Sequence, residues 1–393
     1  MEMNSQNVLI ITYEFPPIIG GAGVYAHDMA IGLASNQCNV DIVTYNHLQE
    51  SSVIKNRLKS SYDINVFDFI PRNGLHFLQF FFLIKKIIRI KEYDFIILSD
   101  GRAKKIFSVF SQSFKKEIPK SISVFHGNEI NSFFVKPSRL IRFFSLSGKL
   151  KRLFSRQRLL ITVSENEKQT WNKFMPELKN KIALVQHGVN ENTFYVRTPD
   201  EISELKNFFG IPLGKKVLLS ASRLIQMKGQ DKVLDAYSRI LSELSDVFLL
   251  IVGDGCYLES LKKQAESLGI SNSVNFVGGV DRETLSKYYA IADLFVLPSR
   301  LEESFGLVYI EAAACGVPSI SGNLGGVFEA VKDGLTGAIV DSFNVDELEG
   351  KMKYLLINNS ARRELGQNAL KKFKSSFTSK VMAHNLIVNL RKQ

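Results

Sequence analysis

Apolar positions along the chain follow two recurring patterns. Short runs of four to seven mostly apolar residues alternate with longer stretches in which apolar side chains recur at helical spacing. Buried runs separated by crossover helices are typical of parallel sheets covered by helices on both faces. The pattern therefore predicts an α/β protein. The predicted strands are residues 8–13, 40–45, 64–70, 95–99, 122–126, 159–163 and 182–186 in the first half, and 216–220, 247–253, 274–278, 294–298, 318–321 and 337–340 in the second.

Two series of six or seven strands are too many for one sheet, so the 393 residues are expected to form two doubly wound domains. Turn-forming residues cluster at 188–199 and predict the boundary. We therefore predict a first domain over residues 1–190 and a second over residues 200–375. Residues 376–393 are predicted to form a C-terminal helix that packs back on the first domain.

Composition argues against several classes of protein. Hydrophobic residues make up 45% of the chain and charged residues 23%, which is typical of a globular protein. The three cysteines, Cys38, Cys256 and Cys315, lack metal-ligand spacing. The first residues do not have the basic and apolar segments of a signal peptide, and no apolar run is long enough to span a bilayer. These features predict a cytoplasmic location.

The net charge of +11 belongs entirely to the first half of the chain. Residues 1–199 carry 27 Lys and Arg against 16 Asp and Glu, whereas residues 200–393 carry 23 of each kind. Such an asymmetry suggests a first domain that faces an anionic partner. No recognition motif for nucleic acid accompanies the charge, so nucleic acid is not expected as the partner.

The segment 133–158 concentrates this charge. Eight basic residues and no acidic one lie between Glu129 and Glu165, and aromatic residues are interleaved with them. A basic amphipathic helix with aromatic residues is typical of binding at a membrane interface. The alternative is a helix whose apolar face packs on the core and whose basic face is solvated. We hypothesise peripheral attachment of this segment to the anionic inner face of the plasma membrane.

Two glutamates mark the segment that follows the predicted strand 294–298. Glu303 is predicted to lie on a loop, and Glu311 one to two turns into the next helix. The first peptide N–H groups of that helix are expected around Phe305, Gly306 and Leu307. Carboxylates accept hydrogen bonds from sugar and ribose hydroxyls, and a helix N-terminus attracts phosphate. The segment therefore suits a sugar joined to a diphosphate and a ribose.

Cations and glycines follow the other strands of the second domain. Arg223 and Lys228 lie on the loop after the first of these strands and suit one diphosphate, although two solvated charges would give the same pattern. Gly253 and Gly255 follow the next strand and would let a nucleobase approach the backbone, but tight turns explain such glycines equally well. The carboxyl ends of parallel strands share one edge, so these residues are expected near the two glutamates.

The first domain has two candidate sites at strand ends. Gly20, Gly21 and Gly23 join the first strand to a helix predicted to begin near Val24. This segment is interpreted as a substrate-facing loop, and a structural turn is the alternative. A dinucleotide-cofactor loop is a third possibility, but the spacing of the glycines fits it poorly. His126 ends a strand, and the glycine that follows predicts an exposed ring that contacts substrate. For His187, at the end of the first domain, a structural role is favoured.

In this order the motifs resemble the retaining, nucleotide-sugar-dependent glycosyltransferases of the GT-B fold, group 1 or family 4. The resemblance covers nearly the whole chain. It departs from the common pattern at 186–190, where relatives more often have Pro-Asn-Gly-Val-Asp, and at Ser222, where glycine is commoner; neither change removes a charged group. The resemblance is carried by Gly20 to Gly23, His126, Thr162 to Glu165, Arg223, Lys228, Gly253 to Gly255, Glu303 to Gly306, Glu311 and Gly316 to Pro318.

The resemblance implies two Rossmann-like domains with an active site in the cleft between them. Arg223 and Lys228 would neutralise the diphosphate, Glu303 would bind the donor sugar and Glu311 the ribose. His126 would sit near the reacting sugar, and the Gly20 to Gly23 loop would border phosphate and acceptor. No cofactor or metal is expected, because no Asp-x-Asp signature is present; the donor would be a UDP-sugar or a GDP-sugar.

The function expected on this resemblance is transfer of one sugar, with retention of configuration, to a glycan or a lipid-linked acceptor in bacterial cell-envelope polysaccharide synthesis. Lipopolysaccharide, capsule and exopolysaccharide are all compatible. Two alternatives remain open. One is a nucleotide-sugar epimerase of the same fold, and the other is a non-catalytic protein that binds sugar nucleotides.

Overall fold

The computed structural model describes residues 6–16, 20–45, 51–70, 74–143, 145–212 and 214–392, and it forms two compact units. Unit 1 comprises Met1–Asn190 and Thr378–Gln393, and unit 2 comprises Glu191–Phe377. The chain therefore passes from one unit to the other at Asn190 and returns at Thr378. Each unit is built around one parallel sheet.

The strands of unit 1 are β1 (Asn7–Ile11), β2 (Asn39–Tyr45), β3 (Asn65–Phe69), β4 (Phe95–Leu98), β5 (Ser121–Phe125), β6 (Leu159–Thr162) and β7 (Ile182–Leu184); those of unit 2 are β8 (Lys216–Ala221), β9 (Val247–Val252), β10 (Val274–Gly278), β11 (Leu294–Leu297), β12 (Ser319–Ser321) and β13 (Gly337–Ile339). The helices of unit 1 are α1 (Gly21–Ser35), α2 (Ser51–Tyr62), α3 (His76–Ile90), α4 (Gly101–Val109), α5 (Arg139–Phe143), α6 (Leu146–Arg156), α7 (Glu165–Phe174) and α16 (Ser379–Arg391). The helices of unit 2 are α8 (Pro199–Phe208), α9 (Gln230–Leu241), α10 (Leu258–Ser267), α11 (Arg282–Ala290), α12 (Leu307–Ala314), α13 (Val327–Ala330), α14 (Val345–Ile357) and α15 (Asn359–Ser376).

The sheet of unit 1 has the order β3-β2-β1-β4-β5-β6-β7, and all of its strand pairs are parallel. Neighbouring residues of β1 point to opposite faces because side chains alternate along a strand. Leu9 and Ile11 join a core cluster with α3, α4, α6 and α7, which therefore cover one face. The chirality of crossover connections places α1 and α2 on the other face.

The C-terminal helix α16 packs on α1 in unit 1. The approach is close at Gly32, where an added Cβ would lie 2.0 Å from the carbonyl oxygen of Ser379. Asn36 and Arg158 donate side-chain hydrogen bonds to the carbonyls of Lys380 and Leu390, at 2.9 Å each. The helix is thus held at both ends.

The sheet of unit 2 has the order β10-β9-β8-β11-β12-β13, again with parallel pairs. One core cluster joins β8, β9 and β11 to α9, α10 and α14. Helices α11, α12 and α15 contact one another through α12. The two sheets flanked by helices confirm the predicted α/β class with two Rossmann-like domains.

All thirteen predicted strands form, with ends that differ by up to two residues. One helix start was predicted wrongly: α1 begins at Gly21 and not near Val24. Gly20 precedes it in extended backbone at φ −157°, so the glycines enter the helix directly. Glycine can adopt helical geometry at a modest entropic cost. Its low helix propensity is measured in helix interiors, so it is a weak argument against glycines at the start of a helix.

Candidate functional site

Three loops of unit 2, which follow β8, β9 and β11, meet at the carboxyl edge of its sheet, around the point between β8 and β11. Successive strands are added outward from β8 in one direction and from β11 in the other. Crossover connections on the two sides then diverge, and ligands of open α/β sheets bind in the crevice that this leaves. The loop after β8 carries Arg223 and Lys228, and the loop after β11 carries Glu303.

The loop after β8 is held tightly against the loop after β11. It ends in a 3₁₀ turn at Gln226–Lys228, followed by Gly229 at φ +81°. A Cβ at Gly229 would lie 2.3 Å from the carbonyl oxygen of Pro298, so only glycine fits there. The amide of Arg300 donates to the Met227 carbonyl at 2.8 Å, and its guanidinium pairs with Asp231 at 2.6 Å.

Lys228 and Glu303 form an ion pair across these two loops. Lys228 Nζ lies 2.5 Å from Glu303 Oε1, and the two side chains are only 12% and 17% exposed. Arg223 lies five residues before Lys228 and is exposed. Within the described residues its guanidinium makes no hydrogen bond or ion pair. The edge therefore presents one restrained cation, one restrained carboxylate and one exposed cation.

Gly253 and Gly255 lie beneath the loop after β8. A Cβ at Gly253, which has φ +134°, would lie 1.9 Å from the Ser222 carbonyl oxygen, and one at Gly255 would lie 2.1 Å from that of Leu224. The amide of Leu224 also donates to the Asp254 carbonyl at 2.8 Å. Close packing between loops thus requires both glycines and positions the backbone around Arg223.

Helix α12 begins beside Glu303. Gly306 precedes it at φ +94°, and a Cβ there would lie 2.6 Å from the Tyr309 ring. The Phe305 side chain is buried and packs on Phe377, with ring centroids 5.5 Å apart, so it stabilises the fold of unit 2. Leu307 is the first helical residue, and the N–H groups of a first helical turn have no partner within the helix.

Glu311 is buried in the second turn of α12. Its carboxylate is 5% exposed and lies 3.0 Å from Arg282 Nη2 of α11. It also contributes to the raised pKa of the Tyr289 hydroxyl, whose main cause is burial. Sequence patterns did not single out Arg282; the one available signal was its position after Asp281, which caps α11.

The glycine-rich loop of unit 1 lies at the corresponding switch point, between β1 and β4. Asp100, at the end of β4, accepts hydrogen bonds from the amides of Tyr13 and Glu14 and caps α4 through Arg102 and Ala103. A Cβ at Gly23 would lie 3.0 Å from the Glu14 backbone, whereas one at Gly21 would meet no atom within 4 Å. Close packing therefore requires glycine at Gly23. Gly21 borders open space, and Gly20 borders the side chain of Glu14.

His126 follows β5 at the same edge and is more enclosed than the sequence suggested. Its Nε2 lies 3.0 Å from the Ser99 carbonyl oxygen, so this nitrogen carries a proton and donates. Its ring packs edge-on to Tyr25 of α1 at 5.2 Å, and the ring of His187 packs on Tyr25 at 5.0 Å. Burial lowers the pKa of His126 to about 4, so the ring is neutral near pH 7.

A buried charged cluster supports the His126 loop. Lys104 of α4 is fully buried, and its Nζ lies 2.9 Å from Glu129 Oε1. Glu129 accepts hydrogen bonds from the amides of His126 and Gly127 at 3.0–3.1 Å. Burial acts to raise the pKa of Glu129, but the Lys104 charge and the hydrogen bonds from Lys104 and the His126 amide together keep that pKa below its usual value. No sequence pattern predicted a role for Glu129 or Lys104.

Glu167 of α7 is a buried carboxyl group close to Glu129, and its burial predicts that the stability of the fold depends on pH. Burial, with the nearby charge of Glu129, raises its pKa from 4.5 to about 8. Between these values the folded state holds a proton that the unfolded state has lost, so this group makes stability fall as pH rises.

Glu167→Gln is therefore expected to unfold at the same temperature as the parent at pH 5 and at a higher one at pH 8. The expected gain is at least about 1 kcal/mol, since one pKa unit is worth about 1.4 kcal/mol. The emission of Trp171, which is buried in unit 1, would follow the transition. Glu165→Gln on the same helix is the control, because the Glu165 side chain is 46% exposed. An equal pH dependence in both variants would contradict the assignment.

Among the described residues of the segment 133–158, most of the large apolar side chains face the core, and Val135 is the exposed exception at 59%. Phe133, Ile141, Leu150 and Phe154 are buried in the core of unit 1, and the basic residues Lys136, Arg139, Arg142, Lys149, Lys151, Arg152 and Arg156 are exposed. This is the alternative considered for the segment, a core-facing helix with a solvated basic face. Any contact with a membrane through these residues would be electrostatic.

Two family models match the chain. The model of glycosyl transferases group 1 matches residues 201–372, and that of glycosyltransferase family 4 matches residues 19–193. The chain belongs to this family of glycosyltransferases. The two models together cover both units, and the predicted family membership is thereby confirmed.

Several relatives of this chain are GDP-mannose-dependent enzymes. It is 36% identical, over 193 residues, to the GDP-mannose-dependent alpha-(1-6)-phosphatidylinositol monomannoside mannosyltransferase of Mycolicibacterium smegmatis; the match covers 47% of this chain and 50% of the relative. It thus spans about half the length of that relative. A monoacylated-substrate counterpart in Corynebacterium glutamicum is 26% identical, with 97% of each chain covered.

Solved structures support the fold. The crystal structure of Anabaena HepE in complex with UDP and glucose superposes with a TM-score of 0.79 at 21% identity, covering 99% of this chain and 100% of that one. At this identity the likeness concerns the fold alone, and it confirms the expected GT-B fold. Within the described residues no helix has the length and apolar character needed to cross a bilayer.

Proposed function

We propose that this glycosyltransferase moves one sugar from a nucleotide-diphosphate sugar to a glycan or lipid-linked acceptor, with retention of configuration and without a metal. The observation that carries the proposal is the ion pair between Lys228 and Glu303 at the switch point of unit 2, beside exposed Arg223 and the start of α12. Unit 2 would hold the donor.

The chemistry follows from where charge develops. When the bond between the anomeric carbon and the diphosphate oxygen breaks, its electron pair leaves with the diphosphate and the ring gains positive charge. Lys228, Arg223 and the amides around Gly306 and Leu307 would stabilise the leaving group. Glu303 would bind the sugar hydroxyls, and an acceptor hydroxyl would form the new bond to the anomeric carbon and pass its proton to the departing diphosphate oxygen.

The Lys228–Glu303 pair gives this assignment a physical basis. Without donor, each charge compensates the other at low exposure. A bound diphosphate would give Lys228 a more highly charged partner, and Glu303 would then be available to the sugar. Glu311 would reach the ribose only as a member of its pair with Arg282, so we assign the ribose contact to Glu311 and Arg282 together.

In unit 1 we assign His126 a contact with the sugar substrate as a neutral hydrogen-bonding group. The lowered pKa argues against a protonated imidazole near pH 7. The loop with Gly20, Gly21 and Gly23 is proposed to border phosphate and acceptor.

The names of the relatives bear on donor and acceptor. The mycobacterial and corynebacterial proteins are GDP-mannose-dependent and act on phosphatidylinositol mannosides, and HepE was crystallised with UDP and glucose. We therefore propose a UDP-sugar or GDP-sugar donor and an acceptor of the cell envelope, used at the cytoplasmic face of the membrane.

A thermal-shift screen with UDP, GDP and their sugars tests the proposal. We expect one nucleotide to raise the unfolding temperature, and its sugar conjugate to raise it further. Glu303→Ala should reduce the difference between conjugate and nucleotide while leaving the nucleotide shift. Glu302→Ala, an exposed neighbour, is the control. No change of unfolding temperature with any nucleotide would contradict the proposal. Binding of a nucleotide sugar whose sugar is converted to its epimer, with no transfer to an acceptor, would favour the epimerase.

A further inference from the structure

Helix α3 of unit 1, together with its N-cap residue Leu75, carries exposed apolar and basic side chains along one line. Leu75, Leu78, Phe82, Lys86 and Arg89, here called the α3 stripe, are all exposed. Their spacings of three and four residues place them on one face of the helix. The three apolar members are 58%, 42% and 64% exposed. Such a row of large apolar side chains is unusual on the surface of a protein that meets only water.

The exposure of the stripe does not come from a poorly packed helix. The opposite face of α3 buries Phe80, Ile84 and Ile87 in the core of unit 1. Phe81, at the side, stacks on Phe110 with ring centroids 4.0 Å apart. The helix is therefore fixed by one apolar face and presents a second one outward.

Charge around the stripe identifies its partner. Residues 74–164 contain 18 Lys and Arg against 5 Asp and Glu, a balance of +13 that exceeds the +11 of the whole chain. Helix α3 itself has three basic residues and no acidic one. Helices α4 and α6 cover the same face of the sheet as α3, and α6 exposes Lys149, Arg152 and Arg156.

We infer that the α3 stripe inserts its apolar side chains into the surface of an anionic lipid bilayer. Leu75, Leu78 and Phe82 would enter the boundary between headgroups and acyl chains, while Lys86 and Arg89 meet the lipid phosphates. The basic face of α6 adds long-range attraction without insertion. A second copy of the chain fits less well, because it would bring two surfaces of this positive charge together.

The position of the stripe links it to the proposed acceptor. Helix α3 follows β3, so the N-terminal half of the helix, which carries the apolar residues of the stripe, begins at the carboxyl edge of the sheet. That edge also holds the glycine-rich loop and His126. This part of the inference rests on the proposed function: a lipid-linked acceptor would be presented at the edge of unit 1 where the bilayer contact begins.

Co-sedimentation with vesicles of phosphatidylcholine, with or without phosphatidylglycerol, tests the inference. We expect binding to the anionic vesicles only. Leu78→Ser/Phe82→Ser should weaken it about tenfold or more, through lost insertion. Lys86→Gln/Arg89→Gln should weaken it about fivefold per charge removed, and high salt should reproduce that loss. Phe208→Ser, at an exposed phenylalanine of unit 2, is the matched control and should bind like the parent.

Insertion itself has a separate readout in Phe82→Trp. The single native tryptophan, Trp171, is buried, so a blue shift of emission on adding anionic vesicles would report on position 82. Equal binding by the Ser variants and the parent, or no blue shift, would overturn the inference. So would a dimer in sedimentation that the Ser variants convert to monomer without any vesicle binding.

Release of nucleoside diphosphate from a donor in solution separates this inference from the proposed function. The α3 variants are expected to keep it at the parental rate. If release persists while vesicle binding is absent, the bilayer contact is wrong and the glycosyltransferase proposal stands. If vesicles bind and no donor is turned over, the bilayer contact stands and the activity is wrong.

Discussion

Replacing Lys228 with methionine is expected to lower the rate of nucleoside diphosphate release from the donor by about 10²–10³-fold, the effect of removing one preorganised group that stabilises developing charge. Lys228 is held at 2.5 Å from Glu303 at low exposure, so its charge is in place before the donor binds. Methionine keeps most of the side-chain length but leaves the diphosphate oxygen without its cation. Steady-state assays with saturating donor would measure the change.

Lys232→Met is the matched control for this prediction. Lys232 lies in the first turn of α9, four residues after Lys228, and pairs at 3.5 Å with Asp235 on its own helix. We expect it to retain parental activity. Since Lys228→Met leaves Glu303 without its partner, Lys228→Met/Glu303→Gln would show whether the loss comes from that carboxylate. Equal activity of Lys228→Met and Lys232→Met would exclude the diphosphate role.

Replacing Lys104 with methionine is expected to destabilise unit 1 by about 3–5 kcal/mol, the usual cost of removing one partner from a buried ion pair. Lys104 is fully buried, and Glu129, its partner at 2.9 Å, would be left with an uncompensated charge near Glu167. Denaturant unfolding followed by Trp171 emission would measure the loss. Lys105→Met is the control, since Lys105 is adjacent but partly exposed.

The double variant Lys104→Met/Glu129→Gln distinguishes charge from packing. It removes both charges while a glutamine at 129 can still accept hydrogen bonds from the amides of His126 and Gly127. We expect it to recover most of the lost stability. If the double variant is as unstable as Lys104→Met, packing of the lysine side chain, whose Nζ lies 5.1 Å from the centroid of the Phe125 ring, accounts for the effect instead.

The two sheets could be predicted from the sequence because their strands are buried on both faces and form continuous apolar runs. Predicted strands extended too far at their carboxyl ends, as at Ser99 and Gln186, because polar turn residues there continue the extended pattern. The start of α1 was missed because three glycines suggested a loop where the helix had already begun.

Candidate residues could be predicted where one local segment carried the signal. Lys228 and Glu303 follow adjacent strands of one sheet, so their proximity followed from topology. The cluster of Lys104, Glu129 and Glu167 could not be predicted, because it joins α4, the start of the helical segment after β5, and α7 through tertiary packing alone. Periodicity identified α6 as amphipathic but could not tell whether its apolar face met the core or a membrane.

The most direct test of the proposed activity is the release of nucleoside diphosphate from a panel of UDP-sugars and GDP-sugars, with extracts of envelope lipids as acceptor and EDTA present. One donor is expected to give release that depends on the acceptor and that falls about 10²–10³-fold in Lys228→Met. Donor binding without release from any member of the panel, or release that Lys228→Met leaves unchanged, would contradict sugar transfer at this site.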